Sequence, residues 1–327
     1  TAPQQQQQEQ HEPSDEAPST QNDNTTPAPY NLDIPHSSHA IVTLIESDDK
    51  NIRNFCYALQ SLHKNHITHN ENPILIFHED TIPPLTLDYL RTCTTNPLSF
   101  HVYDTSFPPG FDPAIEAEQY SAVARQGTNK GPSRESWSYT RMIRFWTTGL
   151  WKLPFISQYR SVMRFDTDSC FVAPSEANDV DNAYVPGIRP PYFYRTDGIM
   201  TGVGSWTEGL YDFAVAYMTQ NDIVPANPSL WNLIEGTWKN EGTLPVFSKN
   251  FEVVKTIFFL RPKVMQWHEA LTEREPFGVM RKRWSDAHTR VFTMAMFADE
   301  EALLMKKHPG YRHGKHLCKE YLDLLAG

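Results

Sequence analysis

The pattern of apolar and polar residues changes sharply near residue 35. Before this point the chain is rich in Gln, Pro, Ser, Thr, Asp and Asn and has almost no apolar side chains. Such a segment cannot bury enough surface to offset the conformational entropy that ordering costs. We therefore predict that residues 1–35 form a disordered stalk and that residues 36–327 form a single folded domain.

Short apolar runs alternate with amphipathic stretches from residue 39 onward. The runs at 40–45, 73–77 and 98–103 predict three buried strands, and apolar residues recur at helical spacing over 52–62 and 85–90. This order of strands and helices predicts parallel pairing, with helices on the faces of the sheet. The predicted fold class is α/β, with a Rossmann-like half of the kind that holds nucleotides beyond the strand ends.

The middle of the chain predicts a loop, a helix and a further strand. Residues 104–135 are rich in Pro, Gly, Glu and Gln, which is typical of a loop. Apolar residues at helical spacing predict a helix over 136–151, and residues 159–165 read as another buried strand.

An acidic pair, Asp166 and Asp168, directly follows that strand. Residues two apart on an extended chain face the same side, so we expect the two carboxylates to point together. Close carboxylates repel each other unless a cation lies between them. Mn²⁺ and Mg²⁺ prefer oxygen ligands and bridge well to diphosphates. The pair therefore predicts a metal site for a nucleoside diphosphate, and the alternative is a polar turn that ends the strand.

A second candidate is Glu252, which lies among apolar residues in a strand-like stretch. A buried carboxylate can act as a nucleophile or stabilise positive charge on a substrate. Alternatively, it pairs with Lys249 or Lys255.

The segment around residue 286 is a third candidate. Ser285 or Asp286 is suited to cap the apolar helix that follows, and His288 and Arg290 near a helix N-terminus are suited to meet a metal or a phosphate. The alternative is a capped helix with surface charges. Trp284 is either a platform on which a sugar stacks or a core residue.

Composition excludes several classes of protein. The net charge of −10 over 327 residues argues against a nucleic-acid groove, which needs clustered Lys and Arg. The sequence has no GxGxxG motif and no P-loop, so hydride transfer and ATP hydrolysis lose support. It has no apolar run long enough to span a membrane. We expect any membrane attachment to come from an N-terminal anchor that is absent from this chain.

Cysteines and histidines leave alternatives open. Cys56, Cys93, Cys170 and Cys318 form no CxxC pair, so they argue against a zinc site. They allow either two disulfides, in three connectivities, or four buried thiols. His308, His313 and His316 lie close together, and we interpret their segment as a loop, with a metal cluster as the alternative.

Four segments together resemble glycosyltransferase family 15, the fungal α-1,2-mannosyltransferases. They are SYTRMIRFW at 138–146, RFDTD at 164–168, NFEV at 250–253 and RWSDA at 283–287. The resemblance covers about residues 39–313. It implies a GT-A catalytic domain with a mixed central sheet, Mn²⁺ or Mg²⁺ as cofactor, and retaining transfer of mannose from GDP-mannose to a mannose-containing N- or O-linked glycan. It also implies a type II membrane protein with a signal-anchor and a catalytic domain in the Golgi lumen.

The resemblance also implies site residues. For catalysis they are Glu252, which matches the family's proposed nucleophile, and Tyr139. The donor-binding residues would be Arg141, Arg144, Asp166 and Arg290, the acceptor-binding residues Trp284 and Asp286, and the metal ligands Asp166, Asp168 and His288.

The chain departs from the family at two of its motifs. The acidic segment is Asp-Thr-Asp where the family usually has Glu-Pro-x. Arg290 stands where the family has a metal-binding His, and the nearest histidine is His288. The chain therefore resembles a divergent member. Two alternatives are a UDP-sugar-dependent GT-A transferase and an inactive homologue that binds glycans.

Overall fold

A computed structural model describes the chain from residue 39 onward, with gaps. The described residues are 39–46, 48–65, 72–79, 82–116, 136–173, 193–195, 199–202, 207–247, 250–300, 303–305, 310–314 and 318. The stalk predicted over residues 1–35 lies outside them, and so do His308 and His316.

The N-terminal part forms the predicted parallel unit. Strands β1 (His39–Ile45), β2 (Ile74–His78) and β3 (Leu98–Val102) are connected by helices α1 (Asp49–Asn65) and α2 (Pro84–Arg91). β2 pairs in parallel with both β1 and β3. The predicted order of strands and helices is therefore confirmed.

The helix predicted over 136–151 is present but changes its winding. It consists of α3 (Ser136–Arg144), a π-helical turn (Phe145–Gly149) and a 3₁₀ turn (Leu150–Lys152), and a further 3₁₀ turn follows at Pro154–Gln158. A π-helical turn adds a residue to one turn of the helix, and such turns often occur at functional sites. The predicted loop at 104–135 is described as far as residue 116, and it ends there in a single helical turn.

The central sheet is mixed, as predicted. β4 (Ser161–Phe165) pairs in parallel with β1, and β9 (Phe251–Lys255) runs antiparallel to β4. Beyond β9 lie β6 (Phe193–Arg195) and β10 (Leu303–Met305). Within the described residues the strand order is β10-β6-β9-β4-β1-β2-β3.

Two short antiparallel ribbons stand apart from this sheet. β5 (Ser169–Phe171) pairs with β11 (Tyr311–His313), and β7 (Ile199–Gly202) pairs with β8 (Leu244–Phe247). The first ribbon begins immediately after Asp168, so it bears directly on the acidic pair.

The later helices pack against the sheet and have clear termini. They are α4 (Leu210–Gln220), α5 (Pro228–Glu241), α6 (Thr256–Phe259), α7 (Pro262–Thr272), α8 (Gly278–Arg281) and α9 (Asp286–Phe297). The Asn227 side chain caps α5 by accepting from the Leu230 N–H at 2.9 Å. Ser285 caps α9 in the same way, through the N–H of His288. None of the helices in the described part of the chain is long and apolar enough to cross a bilayer.

Two hydrophobic layers cover the faces of the sheet. Along β1, Ala40 and Val42 pack in one layer, and Ile41 and Ile45 pack in the other, together with Phe55 of α1. This alternation follows from the two-residue period of a strand. It explains why β1 is mostly apolar, because both of its faces are buried.

The cysteines form two disulfides, Cys56–Cys93 and Cys170–Cys318. This decides between the two alternatives that the sequence left open. The first bond ties α1 to the end of α2, and the second ties β5 to a residue that follows β11.

Candidate functional site

An open pocket of about 220 Å³ lies at the carboxyl ends of β1 and β4. Because these strands are parallel neighbours, the residues that follow them meet at one edge of the sheet, where α/β proteins bind ligands. The pocket is lined by Leu44, Glu46, Asn51, Met142, Trp146, Arg164, Asp166, Thr167 and Asp168.

The acidic pair lies at this pocket together with a histidine from a distant part of the chain. Asp166, Asp168 and His313 each offer one ligand atom, and these atoms all lie within 4.8 Å of one another. His313 Nε2 is 3.1 Å from Asp168 Oδ1. Both Asp residues belong to the turn between β4 and β5 and not to an extended strand. The prediction that the carboxylates meet is confirmed, but the strand periodicity that we gave as the reason is wrong.

The donor set fits a divalent cation. Two carboxylates and one imidazole suit Mn²⁺ and related metals, and the pocket leaves room for phosphate oxygens as further ligands. Burial raises the pKa of Asp166, and Arg164 opposes this effect. A cation at this position would hold both carboxylates in their charged form.

Four buried charged side chains lie behind the pocket, and we call them the buried ionic cluster: Arg164, Glu252, Asp286 and Arg290. Arg164 Nη1 donates to Asp286 Oδ2 at 2.6 Å, and Arg290 Nη2 donates to Glu252 Oε1 at 3.2 Å. Arg164 Nε also donates to Asp166 Oδ1 at 3.1 Å. The cluster contains two cations and two anions, so its buried charges are paired.

The topology explains how this cluster forms. Arg164 and Glu252 are directly opposite each other on β4 and β9, so their side chains share one face of the sheet. Asp286 and Arg290 are four residues apart on α9, and therefore lie on one side of that helix. Burial acts to lower the pKa of Arg164, but the surrounding carboxylates outweigh it and raise the pKa.

The π-helical turn positions an aromatic ring between pocket and cluster. Trp146 in this turn is buried, and the Arg164 guanidinium lies 4.2 Å from its ring centroid. A cation over an indole face is favourable, most of all where water is excluded. Trp146 and Arg164 line both the open pocket and a closely packed region behind it that has no room for a water molecule.

Glu252, the predicted nucleophile, lies on the enclosed side. Its side chain is 4% exposed, and it borders the closely packed region behind Arg164 and Trp146 and not the open pocket. Arg290 lies beside it in that region, and its guanidinium is 4.1 Å from the Phe259 ring centroid. Arg290 therefore pairs with Glu252 and does not line the open pocket, where we expected it to bind a phosphate of the donor.

The two arginines of α3 point away from the pocket. Arg144 forms a two-pronged ion pair with Glu273, with both N–O distances 2.7 Å. Arg141 donates to the carbonyl of Thr105 at 2.9 Å, and neither arginine lines the pocket. The prediction that they bind a donor is not supported by their positions, because both donate to carbonyls of the segment that follows β3, those of Thr105 and Ser106.

The two predicted acceptor-binding residues are both buried. The Trp284 ring packs against Gly278 and is 2% exposed, and its Nε1 donates to the carbonyl of Glu208 at 2.7 Å. This corrects the prediction that the ring stacks on a sugar. Asp286 belongs to the buried ionic cluster and does not line an open groove.

Tyr139 lies near the cluster on α3. The Arg283 guanidinium is 4.4 Å from its ring centroid. Burial raises the pKa of the Tyr139 hydroxyl, and Asp286 contributes to the same shift. The hydroxyl is therefore protonated at neutral pH.

His288 lies apart from the acidic pair. Its Nδ1 is 2.7 Å from Ser285 Oγ in the first turn of α9, and burial lowers its pKa to about 4. Among the described residues, the group of potential metal ligands at the pocket contains His313 in its place. This corrects the predicted ligand set at one position.

Sequence reasoning missed Arg164 as a site residue, and it considered His313 only as part of an alternative metal cluster with His308 and His316. A charged residue inside a buried strand, two positions before Asp166, was a usable signal for Arg164. Nothing in the sequence indicated that His313 meets the acidic pair, because it is the pairing of β5 with β11 that brings His313 to the pocket.

No protein-family model and no curated protein matches the sequence. The fold is nevertheless similar to solved structures. One is core-mannan synthase A (CmsA/Ktr4) from Aspergillus fumigatus in its Mn/GDP form, with a TM-score of 0.70 and 16% identity, over 88% of this chain and 77% of that chain. Another is the mannosyltransferase Ktr4p from S. cerevisiae in complex with GDP, with a TM-score of 0.72 and 16% identity, over 85% and 71%. The chain therefore has the predicted GT-A fold, and its resemblance to the fungal mannosyltransferases is confirmed at the level of the fold.

Proposed function

We propose that this chain is a metal-dependent glycosyltransferase that moves mannose from GDP-mannose to a mannose-containing N- or O-linked glycan. The observation that carries this proposal is the group of Asp166, Asp168 and His313 at the open pocket. It occurs at the carboxyl ends of β1 and β4, in a fold shared with a mannosyltransferase solved with GDP. From the family resemblance we further propose an α-1,2 linkage and retention of the anomeric configuration.

Asp166, Asp168 and His313 would hold the cation, which we propose to be Mn²⁺, with Mg²⁺ as a substitute. When bound, the cation supplies positive charge that stabilises the departing diphosphate. Because Asp166 and Asp168 lie in a turn beside the pocket and not deep within the sheet, a cation held by their oxygens would remain open to phosphate oxygens as further ligands.

Arg164 is the basic side chain of the pocket lining, and we assign it two tasks. It holds Asp166 at 3.1 Å, which orients one proposed metal ligand. Its charge also adds to the positive field at the pocket, where a diphosphate would develop negative charge. The ring of Trp146 and the carboxylate of Asp286 keep its guanidinium in place.

For Glu252 we propose an electrostatic role behind the pocket. Its carboxylate is paired with Arg290 in the closely packed region behind the pocket, and the side chains of Arg164 and Trp146 border both that region and the open pocket. From there it balances the buried arginines and keeps Arg164 oriented. Tyr139 lies beside Arg283, and its hydroxyl is protonated. We propose that this hydroxyl lies near the reaction centre.

The test has two parts, binding and transfer. In the first, thermal stability is measured with GDP or UDP, each with and without Mn²⁺, because a ligand that binds only the folded state stabilises it by about 2.7 kcal/mol at a hundredfold excess over its Kd. We expect a shift with GDP that requires Mn²⁺ and is lost in Asp168→Asn. Asp88→Asn, which changes an exposed carboxylate on α2, is the matched control.

In the second part, transfer of mannose from GDP-mannose to a mannoside acceptor is measured, followed by analysis of the linkage and the anomer. If UDP raises the thermal stability and GDP does not, the donor would be a UDP-sugar and not GDP-mannose. Donor binding without transfer to any mannoside, or no binding of either nucleotide, would contradict the proposed activity and favour an inactive, glycan-binding homologue.

We also propose that the catalytic domain faces the Golgi lumen in a type II membrane protein. The two disulfides support a compartment of the secretory pathway, because disulfides persist in oxidising environments. Immunolocalisation of the full-length protein together with protease protection in sealed microsomes tests this placement.

A further inference from the structure

The imidazole at the metal-ligand group is supplied by a ribbon and not by the sheet or by a helix. His313 is the last residue of β11, and it pairs in register with Ser169, the residue that follows Asp168. The backbone N–H of Gly314 donates to the carbonyl of Asp168 at 3.0 Å. The position of the imidazole relative to the acidic pair therefore depends on how firmly β11 is held to β5.

The ribbon by itself is weak. Each of its strands has three residues. Two-stranded ribbons are marginally stable in water, and frayed ends cost little free energy. His313 lies at the end of such a strand, and its side chain is 40% exposed.

Two features strengthen this ribbon. Tyr311 is anchored by its hydroxyl, which donates to the carbonyl of Asn250 at 3.0 Å and lies 2.6 Å from Ser169 Oγ. The second feature is covalent: Cys170 on β5 is bonded to Cys318, five residues beyond His313. In the chain, His313 thus lies between the buried Tyr311 anchor and the disulfide-bonded Cys318.

We propose that the Cys170–Cys318 disulfide positions His313 as a metal ligand, so that the affinity of the chain for a divalent cation depends on this bond. The inference rests on the proposed metal site. In the absence of the bond, the turn between β4 and β5 keeps its two carboxylates. Tyr311 then remains as the anchor of β11, and the His313 end of the strand can move the imidazole away from them. Groups that orient a metal ligand typically contribute about 10- to 100-fold to metal affinity.

The second disulfide provides a matched control. Cys56–Cys93 joins α1 to the end of α2, and neither cysteine belongs to the ribbon or to the pocket lining. Removing it lowers the free energy of unfolding, because the unfolded chain then has more conformations available. It removes no bond between β5 and β11.

The experiment measures the Kd for Mn²⁺ by the electron paramagnetic resonance signal of the free ion, in the presence of GDP, for folded proteins at a temperature well below their unfolding transitions. The variants are Cys170→Ser/Cys318→Ser, Cys56→Ser/Cys93→Ser and His313→Ala. We expect the first to weaken Mn²⁺ binding by about tenfold or more. The second should stay within about twofold of the wild type, and His313→Ala in the first background should add little further loss.

Several outcomes would overturn the inference. One is an unchanged Kd in Cys170→Ser/Cys318→Ser, and another is an equal loss in both disulfide variants, which would indicate a general effect of destabilisation. If the serine variant does not fold, Cys170→Val/Cys318→Ala fills the space with apolar side chains and is measured in its place. A wild type that binds no Mn²⁺ would remove the metal site and this inference together. A wild type that binds Mn²⁺ but transfers no mannose would remove only the proposed activity.

Discussion

Arg290 Nη2 and Glu252 Oε1 lie 3.2 Å apart, and both side chains are 4% exposed. This pair joins α9 to β9 behind the pocket. The position of Arg290 is the one at which the resembled family has a metal-binding histidine. The chain thus has a buried ion pair where the resemblance implies a metal ligand. The imidazole that lies near the acidic pair belongs instead to His313 of β11.

The Glu252→Gln variant tests whether this carboxylate is a nucleophile. The amide oxygen of Gln still accepts a hydrogen bond from Arg290, but this bond is no longer charge-assisted. An electrostatic role therefore predicts that the transfer rate falls by about tenfold. Initial rates with GDP-mannose at saturating acceptor measure this. A fall of several orders of magnitude in a variant that still binds GDP and Mn²⁺ would instead show that Glu252 attacks the sugar.

Removing Arg290 should destabilise the fold. Arg290→Ala leaves the buried Glu252 carboxylate without its cation, and breaking a buried pair in this way typically costs about 3–5 kcal/mol. Urea unfolding measures the change in the free energy of unfolding. The control is Arg274→Ala, which removes an arginine that is 64% exposed and pairs with Glu269, and which should cost less than about 1 kcal/mol. Equal costs for the two variants would mean that the buried pair adds no special stability.

His288 makes the stability depend on pH in a defined direction. Burial lowers its pKa to about 4 in the folded state, whereas the unfolded chain has the ordinary value of about 6.5. Between these values the unfolded chain binds more protons, so the free energy of unfolding falls as the pH falls through this range. From pH 7 to pH 5 this histidine should account for a loss of about 2 kcal/mol.

Urea unfolding of wild type and His288→Gln at the two pH values isolates this contribution. Glutamine does not titrate, so the variant should lose less stability between pH 7 and pH 5 than the wild type does. Parallel losses in the two proteins would show that His288 is accessible to protons in the folded state.

Gly278 is predicted to tolerate no side chain. A Cβ at this position would lie 2.0 Å from Cε3 and Cζ3 of Trp284, whose ring is buried. Overpacking of this kind typically costs about 1–3 kcal/mol or more, so Gly278→Ala should lower the midpoint of thermal unfolding. Gly236→Ala on α5 is the control, since no atom lies within 4 Å of its Cβ, and alanine favours a helix by about 1 kcal/mol over glycine. A Gly278→Ala midpoint equal to that of the wild type would show that the Trp284 ring can move aside.

The sequence predicted the parallel part of the fold well because its signals are local. Apolar runs marked β1, β2 and β3, and helical spacing marked α1 and α2. The acidic pair was also recognised, since Asp166 and Asp168 follow a buried strand. What failed was the assignment of individual side chains to the pocket. Charged residues on α3 and α9 looked available, but Arg144 pairs with Glu273 and Asp286 with Arg164.

These misassignments have a common physical cause. An arginine near a motif can bind either the phosphate of a ligand or a carboxylate of its own chain. The tertiary structure decides which of the two it binds. Trp284 illustrates the same ambiguity for aromatic residues, because a ring that suits a sugar also suits a glycine in the core. His313 was harder still, since the cross-strand register that brings it to Ser169 joins segments far apart in the chain.

The place of β11 in the chain also has a consequence for biosynthesis. β11 follows all strands of the central sheet in chain order, including β10, and it supplies the third of the grouped side chains. Because a ribosome releases the N-terminal part of a chain first, the carboxylates emerge well before the imidazole. If His313 ligates the cation as proposed, a nascent chain can complete its sheet before it can bind metal tightly, so the acquisition of the cation would be among the last steps of its maturation.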